Sequence, residues 1–528
     1  MSNLDTPADA LPLLAYKIAP RQFDVSYRFA HISLRDQLVR GQTLVRTLLE
    51  TGLLEANAQE ADDEFQLLIC GAGAAGLAAA KEAATLGLSF VLIEKGDVAP
   101  GGVLRSTAKR YVSTAMYEWP HPNHNQHAYP LAVPELLGSE TPPMPTLPLS
   151  LKKPVTVKTF GNAMNSLLNA DVGTWQKTFD DYVAGKLIHK HQLFAKTTTI
   201  NVDTKSALRA MLGSKVSIHG VPLNAATLPT IWLDRHGAPP LCLGFRFQYV
   251  IYAVGFATEL NEYAQGKQPF AGYTQSKFWD PDAIPQHNLG FLTPPTVGIL
   301  GSGDGALQDV LRCITKRSLP HALAVWECLM KCPQKGRRRL LHSPYVRTAM
   351  AEVAAADGYT TSGSVWSHST HIFKSLDKAF IEIIDRLLER EGDKFERAVA
   401  SVIRADVEKV TIVNRLGYFS RAYALNRFLV LLFNEVLARL GESFATKLEI
   451  LSGEVIRFDQ IGSNVRGAQL EVETHQGNME TRNCDLVIIR AGLDKNVSPT
   501  QLIGLTHNDT GRAELGRIPS AIRPIGKP

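Results

Sequence analysis

Residues 67–76, Leu-Leu-Ile-Cys-Gly-Ala-Gly-Ala-Ala-Gly, join an apolar run to a Gly-x-Gly-x-x-Gly turn. A helix-forming run from Leu77 to Leu86 follows, and a second apolar run then ends at Glu94. Strand, glycine turn, helix, strand and acid in this order are typical of a dinucleotide-binding βαβ unit. The pattern therefore predicts that an adenine dinucleotide binds where the first strand ends.

Each glycine of this first glycine loop (residues 71–76) has its own predicted role. Gly71 allows the tight turn off the strand, Gly73 lets the backbone approach a pyrophosphate, and Gly76 lets the helix pack closely on the strand. The free N–H groups at the start of the helix favour phosphate. Glu94 lies 23 positions after Gly71, where a carboxylate can accept hydrogen bonds from ribose hydroxyls.

A second glycine loop (residues 301–306) repeats this architecture. A strand-like run leads into Gly301, Gly303 and Ala306 in the three key positions, and a helix-forming run follows them. The next strand is predicted at 322–327. Two such units predict an α/β protein with two Rossmann-like dinucleotide-binding domains.

Composition and charge narrow the class of protein. A hydrophobic fraction of 45% and a charged fraction of 20% over 528 residues are ordinary for a soluble globular enzyme of several domains. A net charge of +5 is small for this length and argues against broad nucleic-acid binding. The longest apolar run, 428–433, is too short for a bilayer, and the N-terminus does not resemble a signal peptide. We therefore expect a cytoplasmic protein that makes no membrane contact.

Cysteine and histidine usage gives no metal-site prediction. The six cysteines include no Cys-x-x-Cys pair, which favours reduced thiols over a redox pair or a metal site. Histidines at 121, 124 and 127 lie close to two prolines, with no acid or cysteine in the run. A loop folded over a cofactor or a substrate fits this composition better than a metal site does.

These motifs together resemble the flavoproteins that have two dinucleotide-binding domains. The superfamily includes thioredoxin-reductase-like disulfide reductases, flavin-containing monooxygenases, Baeyer–Villiger monooxygenases and N-hydroxylating monooxygenases. The resemblance covers 65–330 and 448–496, and the two glycine loops and two further motifs carry it. Gly101-Gly102 is similar to the Gly-Gly that follows the ribose acid, and Ala253-Val254-Gly255-Phe256 is similar to the Ala-Thr-Gly-Tyr/Phe run that ends the first domain.

The resemblance implies two cofactors, FAD in the first domain and NAD(P)H in the second, with hydride transfer from the nicotinamide to the flavin. The implied domains are a helical N-terminal extension, 1–62, an FAD-binding domain, 63–290 with 448–528, and an NAD(P)-binding domain, 291–447, which includes a helical insertion, 343–445. The expected cofactor-binding residues are Gly71, Gly73, Ala75, Gly76, Glu94, Lys95, Gly101, Gly102, Ala253, Gly255, Gly301, Gly303, Asp304, Ala306 and Glu327.

The choice of nicotinamide and the catalytic residues stay open. Glu327, at the end of the second predicted strand, suits a ribose 2′-hydroxyl and favours NADH, whereas the basic run 335–339 could hold a 2′-phosphate. Hydride transfer to a flavin needs no side-chain acid or base, so no catalytic residue is identified. Tyr117, Trp119 and His121 follow the FAD unit, where they either contact the flavin or pack within the loop region.

Two departures from the superfamily patterns shape the functional hypotheses. The disulfide reductases need a redox cysteine pair that this sequence lacks. The monooxygenase fingerprint Phe-x-Gly-x-x-x-His-Ser-x-x-Tyr/Trp is matched in part by 270–279, with Gln275 in place of the histidine. The leading hypothesis is an FAD-dependent oxidoreductase that uses NAD(P)H and oxygenates a small organic substrate. The alternatives are an FAD-only oxidase and a non-catalytic flavin-binding assembly or sensor subunit. A second copy or a protein partner would bind through 1–62 and 343–445.

Overall fold

Two sheets, each containing the strand that leads into one glycine loop, organise the protein. This arrangement confirms the predicted α/β fold with two Rossmann-like units. The computed structural model describes residues 13, 16–19, 21–25, 34–60, 64–94, 100–117, 119–120, 153–164, 191–195, 197–200, 230–235, 242–255, 277–333, 339–361, 371–460 and 467–492.

The first sheet consists of β1 (Lys17–Ala19), β2 (Gln22–Asp24), β3 (Glu64–Cys70), β4 (Phe90–Glu94), β7 (His191–Ala195), β8 (Thr197–Ile200), β9 (Thr230–Arg235) and β10 (Cys242–Tyr252). Its strand order is β1-β2-β10-β3-β4-β7, and the antiparallel pair of β8 and β9 joins through β10. β3 pairs in parallel with both β4 and β10. A separate two-stranded ladder joins β5 (Tyr111–Val112) to β6 (Val155–Thr156). The apolar run 67–70 of β3 reflects the strand's central place, because a parallel strand covered on both faces is buried on both.

The N-terminal extension is only partly helical, which corrects the prediction for 1–62. β2 pairs in parallel with β10, so this part of the chain adds strands to the first sheet beside β10. The predicted helix is α1 (Leu34–Glu50), which packs on α2 (Ala74–Thr85), the helix of the first glycine loop. Gly41 allows this close contact, because a Cβ there would lie 2.2 Å from the carbonyl oxygen of Ala75.

The second sheet consists of β11 (Thr296–Leu300), β12 (Lys409–Asn414), β13 (Leu448–Gln460), β14 (Ala468–Thr474), β15 (Met479–Cys484) and β16 (Leu486–Ile489). The strand order is β15-β14-β13-β12-β11-β16. β13, β12, β11 and β16 run in parallel, and β14 and β15 extend β13 as an antiparallel meander.

The second sheet contains the strands between 448 and 489, which corrects their predicted place in the first domain. β13 hydrogen-bonds to β12, and β16 hydrogen-bonds to β11. The strand-then-glycine pattern at the end of β16 resembles that of β10 because each strand returns beside the first strand of its own unit. Residues 493–528 of the predicted segment lie outside the described residues.

The remaining helices are α3 (Thr114–Tyr117), α4 (Asp304–Ile314), α5 (Ala322–Lys331), α6 (Pro344–Thr361), α7 (His371–Val402), α8 (Ala424–Arg439) and α9 (Glu442–Ala445). Helix α5 replaces the strand predicted at 322–327. The block 343–445 is not an insertion of helices alone, because it contains β12, the strand next to β11. Helices α4 to α7 therefore form the connection between the first two parallel strands of the second sheet.

An aromatic cluster joins the two domains. Trp119 follows α3. Its ring centre lies 5.2 Å from that of Trp326 on α5 and 5.5 Å from that of Phe428 on α8. The ring centres of Tyr117 and Tyr423 are 4.7 Å apart. These side chains belong to one continuous apolar core that reaches from the first sheet to the helices of the second.

Candidate functional site

The first glycine loop has the backbone that its sequence predicts. Gly71 adopts a φ of +99°, and a Cβ there would lie 2.5 Å from the carbonyl oxygen of Ala253. Ala253 donates its N–H to the carbonyl of Cys70 at 2.8 Å, because β10 ends beside β3. Gly255 follows with a φ of +81°. The structure therefore brings the first glycine loop and the predicted residues Ala253 and Gly255 together at the carboxyl edge of the first sheet.

Gly76 and Gly73 have opposite surroundings. A Cβ on Gly76 would lie 1.8 Å from the carbonyl oxygen of Gly71, so this position requires glycine if the helix is to approach the turn. A Cβ on Gly73 would meet no atom within 4 Å. Gly73 thus borders open space at the N-terminus of α2, the place where a pyrophosphate would approach the backbone. Ala75 is buried in the first turn of α2.

Glu94 faces the first glycine loop. Its Oε2 accepts a hydrogen bond from the N–H of Ala72 at 2.8 Å. A Cβ on Gly101 would lie 2.2 Å from the same oxygen, and Gly101 donates its N–H to the carbonyl of Ala72 at 2.7 Å. Gly102 adopts a φ of +58°. Glu94, the predicted ribose acid, therefore lies beside the glycine pair, whereas Lys95 lies outside the described residues.

The second glycine loop repeats the geometry of the first. Gly301 has a φ of +143°, and a Cβ there would lie 2.3 Å from the carbonyl oxygen of Arg490, which follows β16 as Ala253 follows β10. Gly492 has a φ of +95° and corresponds to Gly255 of the first unit. Ala306 is fully buried in the first turn of α4. Gly303 has more room, since a Cβ there would lie 3.5 Å from the Ser420 hydroxyl.

The carboxylate of Asp304 accepts three hydrogen bonds from within the protein. Its Oδ1 accepts hydrogen bonds from the N–H of Tyr423 at 2.9 Å and from Asn426 at 2.7 Å, and its Oδ2 accepts one from Gln308 at 2.7 Å. Burial raises the pKa of Asp304, and these hydrogen bonds oppose that shift. Asp304 was predicted to bind the cofactor, and its contacts join the second glycine loop to Tyr423 and to Asn426 on α8.

Glu327 does not hold the position of a ribose acid, which corrects the prediction. It lies on helix α5, where it is exposed and pairs with Lys331 at 2.8 Å. The strand next to β11 is β12, and its last residue is the buried Asn414. Asn414 therefore stands where the first unit has Glu94, and Arg415 follows it.

The sequence interpretation missed the segment 415–423, which passes beside the second glycine loop. Ser420 donates its N–H to the carbonyl of Ser302 at 2.8 Å, and Asp304 donates its N–H to the carbonyl of Arg421 at 2.9 Å. Arg415 and Arg421 are both exposed. The signal available in the sequence was a run of β-branched residues, 410–413, followed by Asn414 and Arg415. The basic run 335–339 lies outside the described residues, apart from Arg339.

A buried ion cluster joins the domains near the second glycine loop. Arg110 of the first domain donates both Nη atoms to Asp309 on α4, at 2.5 and 3.1 Å. Asp309 also accepts hydrogen bonds from Arg312 at 2.8 Å and Arg490 at 2.9 Å, and Asp282 pairs with Arg312 at 2.7 Å. Burial alone would raise the pKa of Asp309, but the attraction of the three arginines outweighs it and holds the pKa far below its usual range.

Phe278, near the end of the partial monooxygenase fingerprint, packs inside this cluster. The Arg110 guanidinium lies 3.9 Å from the centre of its ring, and a Cβ on Gly305 would lie 3.1 Å from the ring edge. Ser106 donates its hydroxyl to the carbonyl of Trp279. The segment between the two domains therefore contacts both of them, while 270–276, including Gln275, lie outside the described residues.

Two of the three candidates for flavin contact, Tyr117 and Trp119, are described by the structure. Tyr117 and Trp119 are buried in the aromatic cluster between the domains, where packing explains both of them. His121, His124 and His127 lie outside the described residues. Among the residues that are described, no group of three histidine, cysteine, aspartate or glutamate side chains could hold a metal ion. No helix in the same part of the chain is long and apolar enough to cross a membrane.

Residues 69–132 match the family model described as an NAD(P)-binding Rossmann-like domain. The matched region includes the first glycine loop and Glu94, which confirms that the first unit has a dinucleotide-binding fold. No curated protein matches the chain significantly.

Three solved structures that are similar to parts of this chain have low identity to it. Thioredoxin reductase of Lactococcus lactis is 12% identical, with 81% of this chain and 78% of that chain covered and a TM-score of 0.35. Bacillithiol disulfide reductase of Staphylococcus aureus is 12% identical, with 81% and 77% covered and a TM-score of 0.35. Ornithine hydroxylase of Pseudomonas aeruginosa is 12% identical, with 81% and 82% covered and a TM-score of 0.33.

Proposed function

We propose that this protein is an FAD-dependent oxidoreductase that takes its electrons from NADPH. FAD would bind at the first glycine loop and NADPH at the second. When bound, FAD supplies a ring that accepts a hydride from a nicotinamide. The chain's own residues hold the two dinucleotides and fix the relation between their sites.

The surroundings of the first loop support FAD binding there. Gly73 leaves open space at the N-terminus of α2, where N–H groups and the helix dipole favour a pyrophosphate. Glu94 lies at the end of β4, one strand away, and its carboxylate can accept hydrogen bonds from a ribose. Gly101 approaches Glu94 so closely that any side chain there would displace the carboxylate. These features favour a nucleotide over a purely structural glycine turn.

The choice of NADPH over NADH depends on β12. An acid at the end of this strand would bind a 2′-hydroxyl and repel a 2′-phosphate, but the strand ends in Asn414. Arg415 follows with 65% of its side chain exposed, and its distance of 3.6 Å from Glu454 makes only a weak surface pair. Arg421 is exposed beside the same loop. Two guanidinium groups without a nearby strand-end acid favour a 2′-phosphate.

Within this class, a monooxygenase-like reaction on a small organic substrate is the finer proposal. The sequence has no redox cysteine pair of the kind that disulfide reductases need. Phe278 and Trp279, at the end of the partial fingerprint, pack where the two domains meet. This position would let the fingerprint segment keep solvent away from the junction of the two cofactor sites.

The binding half of the proposal can be tested without a known substrate. Wild-type protein titrated with FAD should bind one equivalent, seen as quenching of flavin fluorescence and as visible absorbance that stays with the protein after gel filtration. A colourless protein that takes up no FAD would contradict the proposal. With FAD bound, NADPH oxidation in air that yields hydrogen peroxide without substrate, and less peroxide with a substrate, would support oxygenation.

The two alternatives give different results in the same experiments. An FAD-only oxidase would bind FAD, but neither nicotinamide would reduce it without air. A non-catalytic assembly or sensor subunit would bind FAD, would turn over neither nicotinamide and would co-purify with a partner. The packing of α1 against α2 and of α7 against α8 gives both helical regions a role inside the protein, so neither region needs a partner to cover the faces that form these contacts.

A further inference from the structure

Two buried side chains hold the segment 415–423 in place, although neither lies on it. Asp377 is on the long helix α7, and Arg427 is on α8. The side chain of Arg427 is 0% exposed and that of Asp377 is 12% exposed, and the two form an ion pair. They are separated from each other by 50 positions in the chain.

Both side chains bind the backbone of the segment. Asp377 Oδ2 accepts the N–H of Phe419 at 2.6 Å. Arg427 Nη2 donates to the carbonyl of Phe419 at 3.1 Å and to that of Ser420 at 2.5 Å. The Phe419 ring itself is 2% exposed. The pair therefore fixes the segment at the two residues immediately before Arg421.

The other side of the segment is fixed to the second glycine loop. Ser420 donates to the carbonyl of Ser302 at 2.8 Å, and the carbonyl of Arg421 accepts from the N–H of Asp304 at 2.9 Å. The backbone at Arg421 is thus held between α7 and the loop. A buried ion pair contributes little net stability in itself, but it can impose one geometry on the groups that it binds.

We propose that Asp377, paired with Arg427, is a positioning residue for NADPH specificity. It acts by holding the backbone at Phe419 and Ser420, so that Arg421 lies where a 2′-phosphate on a nucleotide at the second glycine loop would be bound. This gives the long helix α7 a functional role at the second site. The inference depends on the proposed use of NADPH, and its test separates the two.

The direct test measures binding of adenosine 2′,5′-bisphosphate and of 5′-AMP to the FAD-loaded protein by calorimetry, in wild type and Asp377→Asn. Loss of one charge-assisted contact, about 1.5–3 kcal/mol, corresponds to about a 10- to 100-fold weaker binding of the bisphosphate. Binding of 5′-AMP should change by less than about 2-fold, because 5′-AMP has no 2′-phosphate for Arg421 to bind. The limiting rate of flavin reduction at saturating NADPH should stay the same. Glu389→Gln, an exposed acid on the same helix, is the matched control and should change none of these values.

A double-mutant cycle tests the route of the effect. If Asp377 acts through Arg421, then Asp377→Asn and Arg421→Ala should be strongly non-additive, and the double variant should bind the bisphosphate about as weakly as Arg421→Ala alone. If Asp377→Asn does not fold, Asp377→Glu keeps the charge, shifts the segment, and should still weaken the bisphosphate selectively.

Three results would overturn the inference. One is an equal loss of both ligands in the Asp377 variants, which would indicate a merely structural role. Another is no loss in a folded variant while Arg421→Ala does lose the bisphosphate, which would leave the NADPH proposal intact. The last is a wild type that binds both ligands equally and an Arg421→Ala variant that changes nothing, which would contradict the NADPH proposal itself.

Discussion

Arg110 and Asp309 form a two-point ion pair across the junction of the two domains, with Nη1 2.5 Å from Oδ1 and Nη2 3.1 Å from Oδ2. Their side chains are 1% and 0% exposed. Asp309 lies on α4, the helix that begins at the second glycine loop, and Arg110 belongs to the chain that follows the first loop. This buried contact therefore connects the helix of the second glycine loop to the domain of the first loop.

The first prediction concerns the stability of this contact. Asp309→Asn removes the one carboxylate that Arg110, Arg312 and Arg490 share, and breaking such a buried pair costs about 3–5 kcal/mol. We expect a loss of that size in the free energy of unfolding, measured by urea denaturation. Glu327→Gln, which removes the exposed pair with Lys331, is the matched control and should cost less than about 1 kcal/mol. Equal losses in the two variants would contradict the role given to the cluster.

The second prediction separates two glycines of the same loop. Gly76→Ala should prevent folding, because its Cβ would lie 1.8 Å from a carbonyl oxygen. Gly73→Ala meets no atom within 4 Å, so its free energy of unfolding should change by about 1 kcal/mol or less while FAD binding weakens by at least about 10-fold. Thermal melting and FAD titration measure the two effects. A Gly73→Ala variant with normal FAD affinity would place the pyrophosphate elsewhere.

The third prediction concerns the nicotinamide. Arg415→Ala and Arg421→Ala should each raise the Kd for NADPH by about 10-fold or more and leave the Kd for NADH within about 2-fold, since each removes a charged partner of the 2′-phosphate. Rapid-mixing measurements of flavin reduction over a range of nicotinamide concentrations give both constants. Glu327→Gln should leave the preference unchanged, whereas a change there would restore Glu327 as a ribose acid.

The fourth prediction concerns pH. Burial lowers the pKa of His321 to about 4, with a smaller opposing attraction from Glu327. Because the folded protein binds this proton more weakly than the unfolded chain, the contribution of His321 is complete above its unfolded pKa of about 6.5 and is lost as the pH falls towards 4. His321 caps α5 by accepting the N–H of Ala324 at 3.1 Å, and asparagine can keep that cap.

His321→Asn should therefore lose less stability than wild type between pH 7 and pH 5, compared by urea denaturation. The free energy of unfolding of the variant should therefore rise relative to that of wild type as the pH falls. A constant difference over this range would mean that His321 is not held neutral by burial.

The first unit could be predicted from the sequence almost completely, because its signals are local. The turn, helix and acid between Gly71 and Glu94 follow one another within a short stretch, and each glycine has a single steric reason. The second glycine loop could also be predicted from the sequence. The element that follows its helix could not, because the short and mostly apolar run Ala322–Lys331 suits a buried strand as well as a helix.

The assignment of strands to sheets could not be predicted from local signals. β12 is a short run of β-branched residues inside a block with strong helical periodicity, and only its pairing with β11 identifies it. The strand-then-glycine patterns at Ala253 and Arg490 look alike because each closes its own unit. Sequence similarity between them carries no information about which sheet each strand joins, and this led to the wrong domain for 448–489. Because β12 was not predicted, Arg415 and Arg421, which follow it in the chain, were not identified as candidate site residues.

The most direct test of the central claim is an anaerobic titration of the FAD-loaded protein with each nicotinamide, followed by flavin absorbance near its long-wavelength band. The account predicts stoichiometric bleaching by NADPH, with NADH needing a concentration about 10-fold or more higher for the same rate. A flavin that both nicotinamides leave oxidised would contradict hydride transfer between the two sites, and equal bleaching at equal concentrations would contradict the role of Arg415 and Arg421.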